Sequence, residues 1–217
     1  MKEVEMQYFE DLKKSVIEKI SEEINEKMLS SIIANDIAFH IEDRASSKFQ
    51  RFYFDSVNNP DYYYKSNDFF KQFKSNYSLQ FITNQYLEVL EAKKHEMLNL
   101  IKQNELSKLY FKYFAKAKIE QTNGIIYKNL NSFFVKFVHT FQPNKYCALD
   151  NPIKNYFGLK NESFFVAFII LNESYNQWIK GNKSLIKKIR ENMKEIDSKE
   201  IFDFEKLTDL KILDLIF

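Results

Sequence analysis

Apolar side chains recur along most of this chain at steps of three and four, the spacing that lines one face of a helix. Phe9, Leu12, Val16, Ile20, Ile24 and Met28 form such a face and predict a helix over residues 3–35. A second helix is predicted over 36–57. The stretch "NNPDYYYKSND" after it opens on the strongest turn signal in the chain. Helical patterns follow near 78–102 and 105–118, the latter with Leu106, Leu109, Tyr110, Tyr113 and Ala117 on one side. "QTNG" at 121–124 marks a break. Over 126–141, Leu130, Phe133, Phe134, Phe137, Val138 and Phe141 give the cleanest periodicity of all. A short helix from 152, an apolar one over 162–180, a Lys-rich one over 183–195 and a last one over 205–217 complete the pattern, with "EIFDF" at 200–204 as an extended link.

Composition points the same way. Three Gly and three Pro are too few for the closely spaced turns of a β-rich fold, while 22 Phe and 13 Tyr supply a large core. The expected fold class is all-α: a single globular helical domain with an N-terminal helical arm and little or no sheet. The Asn-Pro turn near 58–61 divides an arm, 1–58, from a body, 59–217, the two packed as one domain.

Charge follows that division. The net charge is +2, yet residues 1–60 hold eight basic and twelve acidic side chains, whereas 61–217 hold 24 and 18. An acidic arm on a basic body is compatible with a polyanionic partner. The longest apolar run, Phe164 to Leu171, is far short of the roughly 20 residues of a membrane helix, so no membrane partner is expected. The N-terminal stretch has no apolar signal-peptide core, and the single cysteine, Cys147, excludes an internal disulfide. A cytoplasmic location is expected. GxxxxGK, GxGxxG, GxSxG and HExxH are all absent, and one Cys with three scattered His excludes a Cys-rich zinc site. Neither a cofactor nor a metal is expected.

The chemistry-bearing residues gather in "FQPNKYCALDNPIKNYFGL", Phe141 to Leu159, which holds two of the three prolines, Cys147 and Gly158. Pro152 suits the first turn of a helix, which makes Asn151 its N-cap and Asp150 the neighbour. A carboxylate there is held by the helix-start amides, either as a plain capping group or as a rigid acid at the mouth of a cleft. On a helical wheel His139 lies opposite the apolar face, near Ser132 and Lys136, either exposed or facing a groove ahead of Asp150. Lys136, Lys145 and Lys154 around this stretch, with Lys183, Lys187 and Lys188 on the Lys-rich helix, are candidate phosphate contacts. "DYYYKSNDFFKQF" at 61–73 alternates aromatics with lysines, as packing or as a base-stacking platform. Trp178 is expected in the core.

"NSFFVKFVHTFQPNKYCALDNPIKNYFGL" resembles a helix–His–Pro–aromatic–Asp–helix segment of bacterial proteins grouped with the helix-hairpin-helix DNA glycosylases. Within it, "LDNPIKNYFGL" is similar in outline to their Val-Asp-Thr-His-Val type motif, and the closing "LTDLKILDLIF" resembles the C-terminal helix of the same group. The resemblance implies an all-α fold, with Asp150 as the catalytic acid that stabilises an oxocarbenium-like sugar and helps activate water. It also implies that the target base is flipped from the stack. The family's Gly-rich hairpin has no counterpart before Asp150, where Gly124 stands alone, and the family's lysine falls among Lys128, Asn131 and Lys136, matching none closely.

Three function classes follow. One is a DNA-binding or nucleic-acid-processing protein, a degenerate DNA glycosylase-like hydrolase acting in phage defence, with Asp150 and His139 as catalytic residues. Another is a non-catalytic helical module that binds a protein partner or a second copy through its N-terminal arm. The third is a different hydrolase built on Asp150.

Overall fold

The computed structural model describes residues 2–79, 82–121 and 124–217. Helix accounts for about 69% of the chain, and the fold is all-α. Among the described residues the only extended pairing is a short antiparallel hairpin, β1 (Ala117–Gln121) with β2 (Gly124–Lys128), in the register Ala117↔Lys128.

The first helix, α1 (Lys2–Glu23), is shorter than its apolar stripe predicts. Asn25 ends it: its side-chain carbonyl accepts the backbone N–H groups of Lys27 and Met28 at 3.0 and 3.2 Å, a local turn that competes with the helix. Val16, Ile20 and Ile24 are buried, whereas Met28 is exposed. Their face packs along α12 (Phe164–Gly181), so the arm's apolar side is already covered within the chain. Lys13 pairs with Glu173, and Trp178 Nε1 donates to Ser21 Oγ at 3.0 Å across the same contact.

After the turn the chain forms α2 (Leu29–Ser31), a π-helical turn (Ile32–Ile37) and α3 (Ala38–Glu42). The wider π turn buries Ile32, Ile33 and Ile37 and leaves Asn35 and Asp36 on a cleft wall. The predicted helix over 36–57 is interrupted at Asp43, whose carboxylate caps α4 (Arg44–Ser56) by accepting Ser46 N–H at 2.7 Å.

The aromatic–lysine stretch is not a stacking platform. It forms α5 (Pro60–Lys65) and α6 (Phe69–Asn76), and Tyr63, Phe69, Phe70 and Phe73 are fully buried. The pattern near 78–102 resolves into α7 (Asn84–Glu91) and α8 (Lys94–Lys102), with Thr83 capping the first; residues 80 and 81 lie outside the described residues. α9 (Leu106–Tyr113) then leads into the hairpin.

The helix predicted over 126–141 starts late. Ile126, Tyr127 and Lys128 belong to β2, whose first residue, Gly124, has φ +126°, a conformation other residues rarely adopt. α10 (Asn131–Phe141) follows and is the central element. Phe133 to Phe141 are buried except Lys136, and Phe137 is ringed by Tyr63, Phe70, Phe73, Phe114 and Phe141 at centroid distances of 5.2–6.3 Å. A helix apolar over most of its circumference sits inside the core.

The remaining elements are α11 (Asn151–Tyr156), α13 (Lys183–Ile196) and α14 (Asp209–Ile216). "EIFDF" has no regular structure; the Asp197 carboxylate holds it by accepting the N–H groups of Ile201 and Phe202, each at 2.8 Å. Among the described residues no helix is long and apolar enough to cross a membrane.

Candidate active site

The loop between α10 and α11 is pinned along its length. Gln142 Nε2 donates to the carbonyl of Ile101, and Thr208 Oγ1 to that of Pro143, at 3.0 and 3.1 Å. Asn172 brackets the middle, accepting Cys147 N–H at 2.8 Å and donating to the carbonyl of Lys145 at 3.2 Å. Cys147 is fully buried, and burial pushes its thiol pKa far up, so it is a core residue.

This loop delivers Asp150. The cap of α11 is Asp150 itself, one residue earlier than Asn151: Oδ1 accepts Ile153 N–H at 3.1 Å, and Pro152 falls in the first turn, where its missing N–H is no loss. The far end closes on Gly158 at φ +75°, where Leu159 N–H reaches the carbonyl of Lys154 and Gly158 N–H that of Asn155. That is a Schellman closure, which favours glycine at this position. The second oxygen of Asp150 lies 3.3 Å from Lys136 Nζ on α10. Lys136 also lies 5.3 Å from the Tyr77 ring centre. One carboxylate therefore serves a helix cap and an ion pair, and about a third of its side chain still faces solvent.

Two clefts meet at this pair. The larger, about 600 Å³, is lined by Phe39, Phe49, Tyr77 and Phe217 together with the polar and charged Asp36, His40, Gln50, His139, Lys211 and Asp214. The smaller, about 420 Å³, is lined by Asn129, Asn131, Ser132 and Lys154 together with the apolar Leu79, Phe133 and Phe164. Tyr77, Lys136, Asp150 and Pro152 belong to both. Asp150 stands on the partition between the two clefts, each of which has both apolar and polar walls.

His139 departs from the helical-wheel expectation. It is 1% exposed, because α10 is surrounded and has no solvent side at that position. Its Nδ1 lies 2.6 Å from the carbonyl of Tyr146, an acceptor only, so Nδ1 carries the proton. Nε2 then accepts the Tyr53 hydroxyl at 2.9 Å, and the two rings stack. Burial lowers the imidazole pKa below its ordinary value and keeps the ring neutral.

Beside it, α14 carries a buried ion pair: Lys211, 1% exposed, holds Asp214 at 2.6 Å. Burial alone would raise the Asp214 pKa, but the Lys211 ammonium beside it overcomes this and holds the carboxyl below the usual carboxylate value. Lys211 also lies 4.4 Å from the Tyr53 ring centre. Thr208 starts α14 by accepting Lys211 N–H, which fixes where both charges fall. Among the described residues no group of three or more His, Cys, Asp or Glu stands close enough to hold a metal ion.

Of the residues singled out in the sequence, the structure brings together Asp150, Lys136 and His139 on the larger cleft and Lys154 on the smaller one. Lys154 spans α11 to the carbonyls of Lys160 and Glu162. Lys145 reaches Asn104 instead. Lys183 lines a separate cleft with Arg190 and Asp209, Lys187 pairs with Glu191, and Lys188 pairs with Glu26. Sequence reasoning missed Tyr53, His40, Gln50, Lys211 and Asp214. The one available signal was Lys211 and Asp214, three apart in the otherwise apolar "LKILDLIF".

The site is that of an all-α protein with a fixed acid–lysine pair between two clefts. Compared with known protein families, with curated proteins and with solved structures, the chain shows no significant match.

Proposed function

We propose that this protein is a hydrolase of N-glycosidic bonds in nucleic acid, with Asp150 as its catalytic carboxylate. The observation that carries the reading is the position of Asp150, paired with Lys136, on the partition shared by the two clefts. A nucleoside unit has two parts to seat, a flat base and a sugar-phosphate, joined through one C–N bond. With the base in the larger cleft and the sugar over the smaller, that bond lies beside Asp150. The larger volume suits a ligand of this size.

In the reaction, the C–N bond breaks as positive charge develops on the sugar, and the ionised Asp150 stabilises that charge. The base leaves with the bonding pair, a water molecule adds to the anomeric carbon, Asp150 accepts the water's proton, and that proton passes on to the departed base through solvent, which returns Asp150 to its ionised state. Lys136 positions the carboxylate. His139 is committed on both nitrogens and acts through its neighbours, as a fixed dipole on the cleft wall rather than as a proton carrier.

The test is base release from single- and double-stranded DNA carrying deaminated, alkylated or oxidised bases. Asp150→Asn retains a capping oxygen but loses the charge, so release should fall by a factor of 100 or more on the scale of lost preorganised electrostatics, while the fold survives. Full release by Asp150→Asn would sink the proposal, and so would the absence of release from any substrate.

A further inference from the structure

We propose that Asp36 is the acid that protonates the leaving base, so that two carboxylates of the larger cleft divide the reaction between them. This rests on the assignment of that cleft to a base and of Asp150 to the sugar.

Three carboxylates, Asp36, Asp150 and Asp214, line the larger cleft with two lysines, Lys136 and Lys211. Each lysine is committed: Lys136 lies 3.3 Å from Asp150, and Lys211 lies 2.6 Å from Asp214. Asp36 is the carboxylate left over, and no hydrogen bond or ion pair joins its side chain to any described residue. It is half-buried rather than covered, so an occupant of the cleft can reach it. The two histidines on the same walls are no substitute as acids. His139 is committed on both nitrogens, and His40 spends its one proton, on Nε2, on the carbonyl of Leu215 at 2.9 Å.

The π-helical turn accounts for the placement: Ile32, Ile33 and Ile37 anchor it in the core, and Asp36 is left on the cleft side. Partial burial raises the Asp36 carboxyl above its usual value, and the charge of Glu23, at the end of α1, adds to the shift. The elements packed around the turn bring no cation to oppose this. Lys19 of α1 is held over the Tyr156 ring of α11, and α14 offers only the paired Lys211. α2 carries no charge, and α3 brings His40, kept neutral by burial, and Glu42, which lines a separate cleft. α13 meets the far side of the turn with the uncharged Asn192 and Ile196. One cleft therefore holds a carboxylate beside an ammonium and another without a cation, the division that separates base from acid in a two-carboxylate site.

Protonation of the base is then direct. As the C–N bond breaks, its electron pair moves onto the base, and a ring nitrogen takes the proton of the Asp36 carboxyl. Water adds to the anomeric carbon and gives its proton to Asp150. Asp36 ends ionised and Asp150 protonated, and one proton passed between them through solvent resets both. One water is consumed, and the base leaves neutral.

Bases that differ in their need for a proton test this in the full chain. 7-Methylguanine in DNA is already cationic and leaves without one, whereas adenine, hypoxanthine and 8-oxoguanine are neutral and gain from protonation. Asp36→Asn should slow release of a neutral base by a factor of about 100 or more and leave release of 7-methylguanine nearly unchanged. Release of a neutral base by the unaltered protein should fall as pH rises from about 6 to 8, and Asp36→Asn should flatten that limb. The melting temperature should not drop, because the substitution breaks no bond. Glu23→Gln supplies a second variant outside the site: it removes the negative charge beside Asp36 and should move the same limb to lower pH. Where only neutral bases are released, the limb and its response to Glu23→Gln decide. Neutral-base release that survives Asp36→Asn, an equal loss for neutral and cationic bases, activity confined to 7-methylguanine, or a limb unmoved by Glu23→Gln overturns the proposal. Release that depends on Asp150 but not on Asp36 leaves the hydrolase reading standing. Absence of release by the unaltered protein removes the two together.

Discussion

Tyr53 and His139 are 86 residues apart in sequence and share one hydrogen bond of 2.9 Å, hydroxyl to Nε2, inside the core. The bond is the only one open to Nε2, because Nδ1 is spent on the carbonyl of Tyr146. Tyr53→Phe should therefore leave a buried acceptor unpaired and destabilise the fold by about 1–3 kcal/mol. Urea titration measures this. A change under a few tenths of a kcal/mol would mean the bond contributes nothing in solution.

The same burial makes the protein acid-sensitive. His139 and His40 both have pKa values lowered from 6.5 by desolvation, with Lys211 reinforcing the shift and Asp214 opposing it at each. An imidazole that resists protonation when folded but accepts it when unfolded favours the native state fully above pH 6.5, and that advantage is lost as pH falls below it. Asp214, with its pKa lowered by the net pull of Lys211 against burial, adds a loss only at more acid pH, below 3.8. Melting temperature should be flat from pH 8 to about 7 and fall from there toward pH 5. A profile flat down to pH 5 would contradict neutral buried imidazoles.

Lys211 and Asp214 form a pair that is dangerous to halve. Lys211→Met keeps the length of the side chain but strands Asp214, and should destabilise by about 3–5 kcal/mol; the double change with Asp214→Asn should recover part of that loss. Comparing the two by chemical denaturation separates a stranded charge from simple loss of packing. A double variant no better than Lys211→Met would favour packing.

Phe137→Ala should cost about 3–5 kcal/mol, since five aromatic rings surround Phe137 and none can collapse fully into the gap. Exposed Phe111, by contrast, should tolerate Ala with a change under about 0.5 kcal/mol. Thermal unfolding of both variants checks the contrast, and equal effects would reject α10 as the centre of the core.

The helical class of this protein was legible in one dimension because helix formation leaves a local record: apolar residues at three- and four-residue steps and few turn residues. So was the start of α11, since Pro152 and the polar residues before it act within one turn. Breaks set by a single side chain were harder to see. Asn25 and Asp43 end or restart helices through one or two hydrogen bonds, and neither disturbs the apolar periodicity that predicted long helices. The hairpin was hidden for a related reason, since Ile126 and Tyr127 also fit the pattern of the helix that follows. Burial on all sides cannot be read from a wheel. A wheel assumes one wet face, and α10 has none at His139, so a residue expected either exposed or on a groove ahead of Asp150 became a hydrogen-bonded part of the core at the wall of the cleft that holds Asp150. The partners that define the site come from α3, α4, α6, α10, α11 and α14. Asp150 could be singled out by its place before Asn-Pro. Lys136 as its partner, Asp36 left without a cation and the placing of the Lys211–Asp214 pair on the same cleft were decided by packing, because distances between groups far apart in sequence exist only once the helices are assembled.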